Sequence, residues 1–112
     1  MELKTKQSND VAILELDGRY DAYTAQLVED WLAQGKKHVV IDMSKVNFID
    51  NAALKSLTRS TEQIQSEQGS LHICNLSQPV QIIMELTQFQ QKLDIFHTQV
   101  EAIEKVVYAL VA

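Results

Sequence analysis

The sequence predicts an α/β fold: a mixed, mostly parallel sheet, opened by a β-hairpin and packed against about four helices. Three observations carry this expectation. Short runs of β-branched and aliphatic residues recur at Val11–Leu16, His38–Met43 and Leu71–Leu76. Between these runs the apolar spacing switches to the three-and-four period of helices. A turn alone, Ser8-Asn9-Asp10, separates the first two strands, so the later ones need crossover connections and run parallel. The order is β-β-α-β-α-β-α-β-α.

Leu3 and Thr5 alternate with charged residues and, with Val11–Leu16, make a hairpin of the first 16 residues. Asp17-Gly18 reads as the turn that closes the second strand. From Thr24 the period changes: Leu27, Val28, Trp31 and Leu32 fall at helical spacing, and Gly35 is the stop. His38–Met43 is an apolar run broken only by Asp42, which suits a strand buried on both faces. Leu54, Leu57, Thr61 and Ile64 mark one face of a helix ending before Gly69, and Leu71–Leu76 is a short strand. Ser77 can cap the next helix, with Pro79 in its first turn, burying Val80, Ile83 and either Leu86 or Met84. Ile95-Phe96 is a minimal last strand. Thr98-Gln99-Val100-Glu101 is a capping box, opening a terminal helix with Val100, Ile103, Val107 and Leu110 inward.

A chain of 112 residues suits one domain, spanning 1–112. Hydrophobic residues at 46% and charged residues at 22% are globular composition. Ten Lys+Arg against 15 Asp+Glu give a net charge of −5, a field that repels phosphate backbones and anionic lipid. Nucleic acid and a membrane surface are therefore poor partners. No apolar run reaches the roughly 18 residues of a membrane helix, and MELKTKQSND holds no signal-peptide core. The expectation is a soluble, cytoplasmic domain without direct membrane insertion.

Enzymatic constellations are scarce. His38, His72 and His97 share no ligand spacing and read as partly exposed strand-edge side chains, so no metal is expected. Cys74, the single cysteine, excludes an internal disulfide and reads as a small buried hydrophobe. Gly18, Gly35 and Gly69 stand alone, so there is no phosphate-cradling loop, and no nucleophile-elbow pattern is present. The chain reads as a non-enzyme without cofactors.

Two strand-to-helix junctions are the informative places. In Phe48-Ile49-Asp50-Asn51-Ala52-Ala53-Leu54, Asp50 or Asn51 can accept the first free helix N–H groups, while Ala52 and Ala53 leave the backbone open to close approach. In Leu16-Asp17-Gly18-Arg19-Tyr20-Asp21-Ala22-Tyr23-Thr24-Ala25 the cap is Thr24 or Asp21. Loops that follow parallel strands gather at the strands' carboxyl ends, so Asp21, Thr24 and Asp50 are expected on one rim.

Together these segments resemble the STAS family, the domain shared by sulphate transporters and anti-sigma factor antagonists. Leu16-x-Gly18-x-x-Asp21-x-x-Thr24-Ala25 is similar to the family's first signature. Val40-Ile41-Asp42-Met43-Ser44-x-Val46-x-Phe48-Ile49-Asp50, followed by Leu54, is similar to its second. Leu71-His72-Ile73-Cys74-Asn75-Leu76-Ser77 looks like the fourth strand and the start of the third helix. The resemblance implies a STAS-like sandwich and a protein switch of the anti-sigma factor antagonist type. Such a switch docks on a serine kinase that doubles as anti-sigma factor, or on the cognate phosphatase, in a partner-switching pathway. It also implies phosphorylation of a Ser or Thr two positions after the junction aspartate. Here that position is Ala52, which has no hydroxyl, and Ala53 stands where glycine is common. The first helix is also about one turn shorter than the family's. Ser56, one helical turn beyond Ala52, is the alternative phosphoacceptor, expected beside the inward face with Lys55 and Arg59 to hold a phosphate. Asp21, Thr24, Asp50, Asn51 and Ala52 are the expected contact centre. The resemblance also admits an accessory subunit that binds the ATPase of an ABC transporter, or an oligomeric scaffold.

Overall fold

The computed structural model describes residues 2–8 and 10–111. Five strands and four helices follow in the expected order: β1 (Glu2–Ser8), β2 (Val11–Tyr20), α1 (Ala22–Leu32), β3 (His38–Ile49), α2 (Asn51–Ser66), β4 (Ser70–Cys74), α3 (Gln78–Thr87), β5 (Ile95–Phe96) and α4 (Gln99–Val111). A 3-10 turn, Phe89–Lys92, stands between α3 and β5. In the sheet the strands lie in chain order, β1 antiparallel to β2 and every later pair parallel. The turn expected at Ser8-Asn9-Asp10 includes Asn9, which lies outside the described residues; Ser8 pairs with Val11 across it.

Strand alternation divides the interior into two layers. Leu14, Leu16, Val39, Ile41, Leu71 and Ile73 face α1, α2 and α3 and form the main core with Val28, Leu57 and Met84. Val11, Ile13, Val40 and Cys74 face the other way, where Ala102 and Val106 of α4 cover them. Three crossover helices thus occupy one face of the sheet, and the terminal helix occupies the other. Cys74 is the buried hydrophobe expected; burial, with Asp42 and Glu15 nearby, pushes its thiol up to about 12.

Several boundaries differ from expectation. Asp17-Gly18 does not end β2. Gly18 takes φ 108° and the ladder slips twice, between Glu15 and Asp17 and between Gly18 and Arg19, before resuming at Arg19–Phe48 and Tyr20–Ile49. A residue at positive φ within a strand is a bulge that coils it, and glycine adopts that φ without strain. β3 continues six residues past Met43, because its second half pairs with β2 alone and buries only Val46 and Ile49. With one flank open, that half needs no continuous apolar run. α1 starts at Ala22, two residues before Thr24, and ends at Leu32, with Gly35 at φ 91° in the turn that follows.

The phases of the last two long helices also differ. α3 buries Val80 and Met84, while Ile83 and Leu86 point outward. α4 buries Ala102 and Val106; Ile103 and Val107 are half-buried, and Val100 and Leu110 are exposed. Ala102 and Val106 carry the contact with the sheet, with Ile103 and Val107 packed at its edge. His72 is buried rather than at an exposed edge, because α4 and β5 both cover β4; its Nδ1 lies 2.6 Å from Asp94 Oδ2. His38 is half-buried beside the Ser70 hydroxyl, and His97 is exposed.

Candidate docking surface

Both junctions are aspartate caps. Asp21, extended at φ −119°, accepts the Thr24 N–H at 3.1 Å, and Asp50, at φ −108°, accepts the Ala53 N–H at 2.9 Å. Each carboxylate satisfies a donor that the helix start leaves free, and each sits at the positive end of a helix dipole. The Asp21 carboxyl is held below the usual carboxylate range, chiefly by that Thr24 N–H. The two caps are also joined through the backbone. Tyr20 pairs with Ile49 in the ladder, and the Asp50 N–H donates to the Tyr20 carbonyl at 3.1 Å. Asp21 and Asp50 therefore stand side by side on the rim at the carboxyl ends of β2 and β3.

The other expected contact residues divide. Asn51 and Ala52 are exposed at the first turn of α2, and Ala53 behind them is fully buried, fixing how deeply that turn sits. Thr24, expected at the contact centre, is 1% exposed. Its hydroxyl donates to the Arg19 carbonyl at 2.9 Å, tying α1 to the end of β2. It shapes the rim from beneath and offers no surface.

Ser56 is not beside the inward face but within the seam between α1 and α2. It is 2% exposed, and its hydroxyl donates to Glu29 Oε2 at 2.7 Å. Arg59 Nη2 lies 3.9 Å from the same Glu29 oxygen, so the arginine expected to hold a phosphate already faces a carboxylate. The buried Tyr20 hydroxyl has no partner among the described residues, and burial, with Glu29 adding, drives its pKa far upward. The burial of Ser56 comes from a neighbouring helix, which α2's own periodicity does not reveal.

Sequence reading also missed a pair at the rim's edge. The Arg19 guanidinium lies 4.0 Å from the centre of the Phe48 ring, both side chains exposed, with Tyr23 72% exposed on α1. Arginine and aromatic side chains in this setting are the residue types that anchor protein contacts. Only the ladder register sets Arg19 opposite Phe48, so no local pattern marked them.

Below the rim, the opposite layer holds a second polar cluster. Gln99, at the start of α4, donates through Nε2 to Glu15 Oε2 and Asp42 Oδ2, both at 2.6 Å, and Asn75 donates to Asp42 at 3.0 Å. Burial raises the Asp42 carboxyl, but bonds from the Ser44 N–H, Gln99 and Asn75 outweigh it and hold the group below its ordinary value. These bonds pin α4 to β2, β3 and the end of β4. Among the described residues no group of three or more metal-ligating side chains is gathered, and no helix is long and apolar enough to cross a membrane.

A sheet in chain order, with two adjacent aspartate-capped helix starts on one rim, defines a small α/β module built around a paired strand–helix junction. The STAS domain model matches residues 2–102, and the chain belongs to that family. A Bordetella bronchiseptica protein, BtrV, classed by inference as an anti-sigma factor antagonist, is 27% identical over 93 residues, 80% of each chain. The crystal structure of a Thermotoga maritima protein of the same inferred class superposes with a TM-score of 0.83 at 25% identity, covering 93% of both chains. SpoIIAA, an anti-sigma factor antagonist solved unphosphorylated and phosphorylated, shares the fold at 14% identity. Its TM-scores are 0.76 and 0.69, over 94% of this chain and 96% and 99% of the SpoIIAA chains.

Proposed function

We propose that this chain is a non-enzymatic docking module of the anti-sigma factor antagonist type. Its partner is a serine kinase that also serves as an anti-sigma factor, bound through the rim formed by Asp21, Asp50, Asn51 and Ala52. The observation that carries this is the exposed first turn of α2, where Ala52 leaves the backbone uncovered beside the Asp50 cap. Arg19, Phe48 and Tyr23 supply anchoring side chains at its edge. The relatives named as antagonists support the partner class.

The same geometry favours docking without a phosphoswitch. Ala52 has no hydroxyl to modify, and Ser56 lies closed in the α1–α2 seam, where a kinase would reach it only after the helices part. In this reading the module binds constitutively, and its control lies in the partner, in its phosphatase or in the amount of either protein.

The experiment captures partners on the purified chain and on Ala52→Trp, identifying them by mass spectrometry. The variant residue is exposed, so it should cost little stability. The expected result is an ATP-binding kinase of the anti-sigma type held by the wild type and lost from Ala52→Trp. Retention of the same partner by the variant rejects the rim. Capture of an ABC transporter ATPase instead favours the accessory-subunit reading.

A further inference from the structure

The chain leaves β4 and β5 in opposite directions. After β4 it turns through Asn75, Leu76 and Ser77 into α3, on the face shared with α1 and α2. After β5 it turns through His97 and Thr98 into α4, on the other face. Neighbouring parallel strands whose helices go to opposite faces leave a crevice at their carboxyl ends, and open α/β sheets place ligands there. A crevice of about 680 Å³ lies at this switch point, lined by both departing loops and by α3. That is the size of a small-molecule site, and it lies apart from the rim at β2 and β3.

The permanent charges in its lining are both carboxylates. Leu76, Met84, Leu93 and Phe96 give it an apolar floor, and Glu85 and Asp94 bring carboxylates to its wall. Each carboxylate is half used. Asp94 Oδ2 is against His72 Nδ1 at 2.6 Å, and Glu85 Oε1 accepts from Gln81 Nε2 at 3.3 Å. The second oxygens of both have no partner among the described residues. No lysine or arginine lines the crevice among those residues, exposed His97 is the one basic side chain in its lining, and nearby Lys92 leans on the Phe89 ring at 5.5 Å. A cleft with low-dielectric walls and charge of one sign concentrates the opposite charge and repels its own.

We propose that this crevice binds a small organic cation, an ammonium group carried on an apolar body. The charge is drawn to Glu85 and Asp94, and the body lies on Met84, Leu93 and Phe96. Phosphorylated and carboxylated ligands are excluded by the same field. The site rests on the sheet topology and the cavity, and it stands whether or not the rim docks a kinase.

The test uses the full chain, labelled with nitrogen-15, titrated at neutral pH with three probes of one shape. They are 2-phenylethylammonium, the uncharged 2-phenylethanol and the anion 3-phenylpropanoate. The expected result is saturable movement of the Leu76, Glu85, Asp94 and Phe96 amides with the cation alone, at a roughly millimolar dissociation constant for so small a ligand. Added salt should weaken it, and Glu85→Gln, on the exposed side of α3, should weaken it about threefold. Equal binding of the alcohol or the anion overturns the proposal. So does a response outside the crevice, no saturable response, or an unchanged constant in Glu85→Gln.

Discussion

Replacing Ser56 with aspartate puts a second carboxylate into the seam that Glu29 already occupies. The serine hydroxyl sits 2.7 Å from Glu29 Oε2, so the two carboxylates cannot avoid each other without parting α1 from α2. Two like charges about 4 Å apart repel by roughly 4 kcal/mol at an effective dielectric near 20. Losing a hydrogen bond to a charged acceptor adds about 1.5 kcal/mol. The 38% exposure of the Glu29 side chain and Arg59 at 3.9 Å both reduce the repulsion, leaving a net loss of about 3 kcal/mol. A domain of this kind holds roughly 5–15 kcal/mol in all, so the loss is a large share. Urea unfolding of the wild type, Ser56→Asp, Glu29→Gln and the double variant measures it. Glu29→Gln should restore more than half of the stability that Ser56→Asp removes, a coupling of about 2 kcal/mol. A phosphate, with about −1.5 to −2 charge, would disturb the seam more than aspartate does. Ser56→Asp unfolding within about 0.5 kcal/mol of wild type, or no rescue by Glu29→Gln, would show that burial does not close Ser56 to phosphorylation.

Asp42→Asn should cost about 1–3 kcal/mol near neutral pH, because Ser44, Gln99 and Asn75 all donate to the native carboxylate. The folded Asp42 carboxyl lies below its ordinary value, so its stabilisation is present above about pH 4 and is lost as pH falls through the lowered value. Urea midpoints measured down the acid range should therefore converge for the two proteins, and a constant gap would contradict this. Gly69→Ala should lower stability by about 2–3 kcal/mol in thermal melts, since a Cβ would collide with the Lys37 carbonyl and stand 2.8 Å from Ile64 Cγ2. An unchanged melt would show that the α2–β4 turn yields easily.

The order of elements was legible because strand-like apolar runs alternate with helical spacing and most helix starts carry a local cap. Asp21, Asp50 and the Thr98 box are all local chemistry; Asp50 and Thr98 sit where the pattern put a helix start, Asp21 caps a helix that begins two residues earlier than Thr24, and the Thr98 hydroxyl accepts the Glu101 N–H at 3.1 Å. The choice between Asp21 and Thr24 was not local, since Thr24 turns to the Arg19 carbonyl. The second half of β3 escaped notice because a strand paired on one flank buries a residue only every third position there. The phases of α3 and α4 were misjudged because both helices expose more large apolar side chains than they bury. Ile82, Ile83 and Leu86 point outward on α3, as do Val100, Tyr108, Leu110 and Val111 on α4. Ser56, Glu29 and the Arg19–Phe48 stack depend on which elements meet, and that is a property of the assembled sheet.

That the strands stand in chain order has a kinetic side. Each new strand joins an edge already formed by the one before it, but every parallel pair first closes a whole crossover helix, as His38 does with Ser70, a topology that folds more slowly than a helical bundle. The helix that completes the series, α4, covers a small cluster separate from the main core. Units of that sort open and close on their own, at a lower free energy than the whole molecule. An opening there would bare Val11, Ile13, Val40 and Cys74, so the rate at which the buried cysteine reacts would time how often α4 lifts.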